Sequence, residues 1–599
     1  MDWCGRQCAV GFGLYRTLCA VAILLPGASQ AQLPTDIYLG ATSPDVRIVG
    51  ASSLDQTGYG FALGDFNGDT HSDFAVLSRG EDTANGYAFV SVLWGPPPLP
   101  SSNDLANCLG VSLVRASPGQ VGWLAQIASG DFDGDGLDDI ALGIPCQFPY
   151  ADCDGIVYVI FGRTVFPDSL ELNSQAVGVT KLLGMPGADG ALGSMLAVWD
   201  LDRDGIDELI IAAPLSVSGS QIYVLWGRSS FPPQIAMADP SSLFTRIIDS
   251  RPYQSSGKGL ACGDVNGDLW PDLLIGSPGE GQDNGEATLL LGTDTYPDTI
   301  LIATQPPASK RFLGAGPYDQ TGYRVAITDM NGDGCGDMVL SSYAGGPNGC
   351  EACGEVDVVL GGTSLPASAV LGSPGLRMLR LIGAGTGTSL GVELTCGDVN
   401  GDGFGDVMLM SKQDLYDVSD SGHVTVVYGS FVLPDSIHVV SEPSVTRIHA
   451  ESRDNNLGRG LAAFDMTDDG IDDLLIGAPD SSPLARYRAG TVYIIFGPEW
   501  STGVGPLDGL SSKQNHPNPF RMTTGIPVVL ATDSDLYIAI YDVRGRVIRQ
   551  LASEHVASGE HVFEWDGRDA QGRRVAAGVY FCRTTTDTRS SVIKMTVLR

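Results

Sequence analysis

Hydrophobic positions along the chain form short runs that recur in a fixed order. Each repeat contains a small-residue run such as "GKGLACGD", an apolar run such as "LLIGSP", a run ending in glycine such as "VYVIFG", and an alternating run such as "TRIID". Short runs of this kind, bounded by turn residues, are typical of β-strands. The pattern therefore predicts four strands in every repeat.

An acidic loop between the small-residue run and the apolar run marks each repeat. Its pattern is D-x-[DN]-x-D-x-x-x-[DE], and the first aspartates of its seven copies are Asp65, Asp131, Asp200, Asp264, Asp329, Asp398 and Asp465. Successive copies lie 64 to 69 residues apart. Seven units of four strands predict an all-β fold, in which residues 32–497 form a seven-bladed β-propeller with four-stranded blades.

The two ends of the repeat region predict how the ring closes. The run Val46–Gly50 resembles a fourth strand but has no blade before it, and the last blade stops on its third strand at Phe496. We therefore expect this N-terminal strand to complete the last blade. Closure would remove the open sheet edges that favour aggregation.

Composition limits the partners of this protein. Its 70 acidic and 35 basic residues give a net charge of −35, so we expect no nucleic-acid partner, because phosphates require a basic surface. The excess of carboxylates favours cations or basic partners instead. A hydrophobic content of 43% predicts a large core rather than a disordered acidic chain.

The first residues have the pattern of a secretory signal peptide. Arg6 and Arg16 supply positive charge, residues 17–27 form a short apolar core, and "SQA" offers cleavage after Ala31. The alternative, a membrane anchor, needs about 20 apolar residues. We therefore predict a signal peptide over 1–31, no transmembrane segment, and a secreted or cell-surface location, in a bacterial envelope.

An exported protein can form disulfides, and two pairs of cysteines are close in sequence. Cys146 and Cys153 bracket one loop, and Cys350 and Cys353 bracket another, so each pair predicts a local disulfide. The cysteines of the two "CGD" runs, at 262 and 396, are expected to be small buried hydrophobic residues.

The acidic loops predict metal sites. A plain hairpin turn is the alternative, but a turn needs no further carboxylates at fixed offsets in seven copies. Positions 1, 3, 5 and 9 offer side-chain oxygens, and position 7 can add a backbone carbonyl. The candidate ligands in loops one to seven are Asp65, Asn67, Asp69, His71, Asp73; Asp131, Asp133, Asp135, Leu137, Asp139; Asp200, Asp202, Asp204, Ile206, Glu208; Asp264, Asn266, Asp268, Trp270, Asp272; Asp329, Asn331, Asp333, Cys335, Asp337; Asp398, Asn400, Asp402, Phe404, Asp406; and Asp465, Thr467, Asp469, Ile471, Asp473.

The chemistry of these ligands favours up to seven Ca²⁺ ions. Calcium accepts six to eight oxygen ligands in flexible geometry, whereas magnesium tends to keep its waters. No pattern of histidines or thiolates points to a transition metal. Loop seven has the weakest ligand set, because Thr467 stands at position 3.

The loops and their flanking strands resemble FG-GAP repeats, as found in the integrin α-subunit propeller and in bacterial surface proteins. The resemblance covers about residues 33–497 and implies that positions 1, 3, 5, 7 and 9 of each loop bind the ion. Thr70 and Leu269 depart from the family pattern, because glycine usually eases the turn at that position.

After Gly497 the repeats stop. Residues 498–513 are expected to be a linker, and 514–599 a small Ig-like β-sandwich, because "LYIAIYDV" alternates and "DGRDAQGR" is typical of turns. "NPF", "IYDVRGRVIRQL" and "WDGRDAQGRRVAAGVY" resemble the Ig-like domain of the flagellar hook-capping protein and the sorting domains of type IX secretion substrates. The resemblance implies contact with secretion machinery; a passive structural cap is the alternative.

No catalytic constellation stands out from the repeat. "GTSLG" at 387–391 matches the GxSxG pattern of hydrolases, but it aligns with strand-opening segments of other blades. We therefore expect no enzyme activity, and a binding or adhesion module that calcium stabilises. The alternative is a propeller enzyme acting on glycans as a lyase or hydrolase.

The variable loops predict where a protein or glycan partner binds. In each blade the strand 2–3 connection lies on the face opposite the acidic loops, and those connections differ in length and composition. We expect the partner surface to include Phe148, Tyr150 and Tyr343 in the loops 145–155 and 342–354. The alternative is that these loops are tolerated insertions.

Overall fold

The computed structural model describes residues 36–597 apart from several short gaps. These gaps are 40–43, 81–86, 96–101, 108–110, 117–124, 146–154, 173–175, 186–190, 215–218, 239–242, 280–283, 307, 347–349, 351, 384, 413–422, 452–455, 468, 498–509, 513–519, 531–533, 543–545, 577 and 587–589. The predicted signal peptide and the Cys146–Cys153 pair therefore lie outside the described residues. The chain divides into two compact units, and the first ends at Gly497.

The first unit consists of seven sheets, one for each predicted blade. The first strands are Thr57–Gly64, Gln126–Gly130, Met195–Trp199, Gly259–Gly263, Val325–Thr328, Leu394–Gly397 and Leu461–Phe464. The second strands are Asp73–Gly80, Asp139–Ile144, Glu208–Ala213, Asp272–Ser277, Asp337–Ser342, Asp406–Ser411 and Asp473–Ala478. The third strands are Tyr87–Leu93, Ile156–Ile160, Ser220–Leu225, Glu286–Leu290, Glu355–Val359, His423–Val427 and Thr491–Ile495.

Two further strands complete each blade. The fourth strands are Val111–Ala116, Val179–Leu183, Phe244–Asp249, Ser309–Leu313, Met378–Ile382, Thr446–His449 and Val46–Val49. A short fifth strand pairs parallel with the fourth, and these strands are Ser169–Leu172, Gln234–Ala236, Thr299–Leu301, Ser368–Val370, Ser436–His438, Asp36–Tyr38 and Ser102–Asp104. In the described connections, Ile302–Thr304 and Pro483–Ala485 form 3₁₀ turns.

The first strands line the axis of the ring. Each contacts the first strands of both neighbouring blades, and the last of them, Leu461–Phe464, contacts the first, Thr57–Gly64. Seven hydrophobic clusters lie between successive blades, including one between blades seven and one that joins Ile48, Phe74 and Leu475. The prediction of a closed seven-bladed propeller is confirmed.

The N-terminal segment closes this ring with two strands. Val46–Val49 pairs antiparallel with Thr491–Ile495, as the sequence predicted. Asp36–Tyr38 adds the fifth strand of blade six by pairing parallel with Thr446–His449. The fifth strands were not predicted, because most are only three residues long and show too little alternation to be recognised.

The second strands are buried along their whole length, because a neighbouring blade covers each of their faces. Because both faces are buried, successive residues of these strands are almost all apolar instead of alternating with polar ones. Blades also approach closely: a Cβ added to Gly477 would lie 1.9 Å from the carbonyl oxygen of Gly58. Glycine is therefore required where these two blades meet.

The second unit contains two sheets. Leu510–Ser512, Thr524–Leu530 and Gly559–Trp565 form one, and the other consists of Val547–Val556, Ser534–Asp542, Gly578–Thr585 and Ser590–Val597. Trp565 and Phe520 lie in its core. The strand Leu510–Ser512 lies within residues 498–513, which the sequence predicted to be a linker. It was not predicted because a three-residue strand with polar neighbours shows no alternation of apolar and polar positions. Among the described residues, no helix is both long and apolar enough to cross a membrane.

Candidate metal centres

Each acidic loop joins the first strand of a blade to its second strand. Position 9 is the first residue of the second strand in all seven blades, as in Asp406–Ser411. The loops therefore lie at the same end of every blade, on one side of the ring that we call the loop face. The opposite side is called the far face.

The position-9 carboxylates fasten the loops to the blades. Each is at most 1% exposed and accepts the backbone N–H of position 2 at 2.6–3.1 Å. Each also accepts, at 2.8–3.2 Å, the N–H of the glycine that follows the third strand. In loop six, for example, Asp406 joins Val399 to Gly429. Position 9 therefore has a structural role of its own.

The position-1 carboxylates organise the turn itself. In loop six Asp398 accepts the N–H of Asp402 at 3.1 Å through Oδ1 and that of Gly403 at 2.7 Å through Oδ2. This curvature requires positive φ at position 6. Thr70 and Leu269 adopt it at 71° and 74° although they are not glycines. The two departures from the family pattern thus keep the loop conformation at a cost in backbone strain.

Carboxylates converge in loops two and three. Oxygens of Asp131, Asp133 and Asp139 lie within 4.8 Å of one another, and those of Asp200, Asp202 and Glu208 do the same. Two oxygens bound to one calcium ion at 2.3–2.6 Å can be at most about 5 Å apart, so this spacing fits a shared ion. The groups contain positions 1, 3 and 9. Position 5 is not part of them, and in loop two its Oδ1 accepts the N–H of Leu137 at 2.9 Å.

Two buried oxygens in the loops have no hydrogen-bond partner. They are Oδ1 of Asp200, at position 1 of loop three, and Oγ1 of Thr467, at position 3 of loop seven. Leaving a buried polar atom unpartnered is costly, and a bound ion is one partner that would satisfy such an oxygen. Both oxygens belong to the candidate ligand set. The residues present therefore fit a hard divalent cation.

Electrostatics also favour a cation. Burial, together with the charges of Asp133 and Asp131, raises the pKa of Asp139 to about 8, although hydrogen bonds from Gly162 and Phe132 oppose the shift. Burial likewise raises the pKa of Glu208 to about 9. A bound cation would replace the proton and stabilise both groups as carboxylates.

The position-7 side chains contact the neighbouring blade, which the sequence alone did not indicate. An added Cβ at the position-4 glycines 134, 332 and 401 would lie 2.5–2.9 Å from Ile206, Phe404 and Ile471 of the next blade. In loop three position 4 is an arginine, and the guanidinium of Arg203 lies 5.4 Å from the Trp270 ring of the next blade. Each such side chain covers the loop before it.

Position 8 supplies a second link that the sequence analysis missed. The carboxylate of Asp138 accepts the N–H of Asp65 at 2.8 Å, and that of Asp472 accepts the N–H of Asp398 at 2.8 Å. Asp207 makes the equivalent bond to Asp131. The sequence signal for this link was the pair of adjacent acidic residues at positions 8 and 9. In these three pairs, neighbouring loops are therefore coupled directly through the first candidate ligand of the preceding loop.

The far face contains part of the predicted partner surface. Tyr343 follows the second strand of blade five, whereas Phe148 and Tyr150 lie outside the described residues. The predicted disulfide between Cys350 and Cys353 is present in this loop. The cysteines at 262 and 396 form no disulfide within the described part of the chain; the first is buried and the second is partly buried.

The GxSxG pattern does not form a nucleophile elbow. Ser389 is buried in a turn, and the chain continues into the strand Leu394–Gly397 rather than into a helix. The geometry that would expose a nucleophilic hydroxyl is therefore not adopted here.

Family models match both units. The FG-GAP repeat matches residues 123–160, 256–290 and 457–495, which contain loops two, four and seven, and the FlgD Ig-like domain matches 521–590. The chain is therefore an FG-GAP β-propeller protein with an Ig-like C-terminal domain.

Particular relatives match parts of the chain. The phosphatidylinositol-glycan-specific phospholipase D of Rattus norvegicus is 24% identical over 513 residues, covering 81% of this chain and 57% of that protein. Integrin alpha-PS2 of Drosophila melanogaster is 26% identical over 229 residues, covering 37% and 15%. The crystal structure of FlgD from Xanthomonas campestris is 29% identical, covers 15% and 64%, and has a TM-score of 0.12. This chain spans about half the length of the phospholipase D relatives.

Proposed function

We propose that this protein is an exported β-propeller that binds calcium and acts as a binding or adhesion module at the cell surface or outside the cell. The observation that carries the proposal is the set of acidic loops on one face, in two of which carboxylates converge at the spacing of a shared ion. Relatives of the propeller include integrin alpha chains. We assign the ions to positions 1, 3, 5 and 9 of each loop and to the carbonyl of position 7.

Calcium would act by neutralising carboxylates that the fold forces together. Two carboxylates about 5 Å apart repel by roughly 3 kcal/mol at an effective dielectric of about 20. At a tenfold excess of free ion over Kd, each site would add about 1.4 kcal/mol to the free energy of unfolding. Several such sites would contribute a large share of the stability of an ordinary domain.

The ion assignment can be tested by counting. Purified protein would be dialysed against buffered calcium, and the bound ion would be measured by elemental analysis, with magnesium as the competing ion. We expect several equivalents of calcium per chain and retention of calcium in excess magnesium. Finding no bound calcium at millimolar free ion would refute the proposal.

We place the partner surface on the far face, where variable loops project from a rigid scaffold. It would include Phe148, Tyr150 and Tyr343 within loops 145–155 and 342–354. Replacing both loops with short Gly-Ser turns should abolish binding to whole cells or matrix while calcium binding is retained. Shortening the connection 81–86 on the same face provides the control. Full binding by the folded, trimmed protein would instead mark the loops as tolerated insertions.

The C-terminal unit would serve export or anchoring. We propose that it contacts secretion machinery of a bacterial envelope, after removal of a signal peptide over 1–31; a passive cap is the alternative. A fusion of 514–599 to a periplasmic reporter distinguishes them. Appearance of the reporter at the surface supports a sorting role, and retention of the fusion supports a cap.

An enzyme acting on glycans is the second candidate. Charged side chains that differ from blade to blade surround the axis on the far face, where a catalytic site of a propeller would lie. Relatives of this chain include phospholipase D enzymes as well as integrins. Release of oligosaccharides from a polysaccharide panel by the calcium-loaded protein would favour this candidate over a binding module.

A further inference from the structure

Six charged and aromatic side chains form a cluster around the axis on the far face. The first strands begin on this face, so residues at or just before their starts surround the axial opening. Tyr59 lies near the start of the blade-one strand Thr57–Gly64, and Arg324, Glu393 and Arg459 precede the first strands of blades five, six and seven. Together with Tyr323 and Tyr343, these four residues form what we call the channel-mouth cluster.

A single carboxylate in this cluster is shared by two arginines. Glu393 accepts Nε of Arg324 at 2.6 Å through Oε2 and Nη2 at 3.0 Å through Oε1. Nη1 of Arg459 contacts the same Oε1. All three side chains are partly exposed, at 12%, 22% and 14% for Arg324, Arg459 and Glu393. Burial lowers the pKa of Arg459, and the charge of Arg324 lowers it further, so the group favours an additional anion.

Aromatic rings lie beside both guanidinium groups. Arg459 is 5.5 Å from the Tyr59 ring centre, and Arg324 is 4.7 Å from that of Tyr323. The Tyr323 and Tyr343 rings are 4.4 Å apart, and the ammonium of Lys412 is 5.8 Å from Tyr343. The cluster therefore combines cations with flat, partly exposed apolar faces.

The propeller repeat does not require these charges. At the positions equivalent to Arg324 and Glu393, blade three has Met195 and blades four and seven have Gly259 and Gly460. If these charged residues were needed to form a blade, they would recur in each blade, as the acidic loops do. Two partly buried arginines that share one glutamate are also a weak source of stability, because desolvation offsets much of the attraction. A ligand accounts for the arrangement better.

We propose that the channel-mouth cluster binds an acidic oligosaccharide. The planar carboxylate of a uronic acid would accept from the guanidinium of Arg459, which bonds Glu393 through Nη1, because Nε and Nη2 of Arg324 are already bonded to Glu393. The C–H faces of the sugar rings would stack on Tyr59 and Tyr323, as rings do in aromatic-lined ligand sites. An acidic peptide would use only the arginines and leave the rings unoccupied. This assignment rests on the proposed role as an extracellular binding module and names the ligand of that module.

Calorimetric titration of the calcium-loaded full chain tests the proposal. The probe is a hexasaccharide that alternates glucuronate with N-acetylglucosamine, and its methyl ester is the uncharged control. We expect saturable binding of the acid and at least tenfold weaker binding of the ester. Arg459→Gln and Tyr59→Leu should each weaken binding at least tenfold. The matched control Arg115→Gln removes the same charge at the blade rim, where Arg115 pairs with Glu171, and should leave binding unchanged.

Three results of the oligosaccharide titrations would overturn the proposal. They are no binding of the acid by the folded wild-type chain, equal binding of the ester, and equal binding by Arg459→Gln. Preference for a hexa-aspartate peptide, unaffected by Tyr59→Leu, would also overturn it. Failure of the oligosaccharide assignment can be distinguished from failure of the proposed function. If the chain binds cells through 145–155 and 342–354 but does not bind the hexasaccharide, the proposed function stands and only the ligand assignment is wrong.

Discussion

Individual loop positions contribute unequally to the candidate metal sites. Loop two offers carboxylates at positions 1, 3 and 9, and three of their oxygens already lie at the spacing of a shared ion. Loop seven offers the hydroxyl of Thr467 at position 3, which is buried and unpartnered but uncharged. Because ligand charge strongly tunes calcium affinity, loop seven should be the weakest site.

Substitutions at positions 1 and 3 should change the number of bound ions in opposite directions. Asp398→Ala removes a charged ligand from loop six and should lose one equivalent of calcium. Thr467→Asp adds a carboxylate to loop seven and should gain binding at limiting free calcium. Ion counting by native mass spectrometry measures both, with Thr467→Ser as the matched control. Tighter calcium binding at loop seven than at loop six in the wild-type chain would contradict the ligand-charge argument.

The backbone of the blades couples neighbouring acidic loops. Besides the position-8 carboxylates, the N–H of Asp138 donates to the carbonyl of Asp65 at 3.1 Å, and that of Asp472 donates to the carbonyl of Asp398 at 3.0 Å. Position-7 side chains cover the preceding loop. Ordering one loop should therefore help to order the next.

This coupling predicts an effect of a residue outside the ligand pattern. Asp472→Ala removes the acceptor for the N–H of Asp398 and should weaken calcium binding at loop six as well as at loop seven. Asp472→Asn keeps an acceptor and should retain both sites. The number of ions at limiting calcium distinguishes the variants. If Asp472→Ala retains the wild-type number, neighbouring loops are independent.

Much of each blade could be predicted from the sequence, because strand pattern and loop pattern repeat in the same order. The fully apolar second strands follow from burial on both faces, and the closing strand Val46–Val49 follows from an unmatched fourth strand. The fifth strands and the contacts of position 7 could not be predicted, and the acidic doublets at positions 8 and 9 did not indicate which residue position 8 contacts. They join one blade to the next, and a periodicity within a single repeat carries no information about such contacts.

The whole propeller should respond to pH in a way that depends on calcium. Without metal, burial raises the pKa of Asp73 to about 7 and those of Asp139 and Asp473 to about 8, against about 3.9 for an unfolded aspartate. The folded state then binds more protons than the unfolded state between about pH 4 and 8, so the free energy of unfolding falls as pH rises through this range.

Calcium competes with protons for the same carboxylates and should reverse this dependence. The metal-free protein should melt at a higher temperature at pH 5.5 than at pH 8, and the calcium-saturated protein should show the opposite order. Measuring both in about 0.5 M salt screens the net charge of −35. A metal-free melting temperature that rises between pH 5.5 and pH 8 would contradict the burial argument.

At the scale of the whole molecule, we propose that acidic loops on one face make the stability of the propeller depend on calcium. Thermal unfolding of the full chain in chelator, in about 1 mM calcium and in about 1 mM magnesium tests it most directly. We predict a propeller transition many degrees lower in chelator, restored by calcium and restored less by magnesium. An identical melting temperature in chelator and in calcium would contradict the claim.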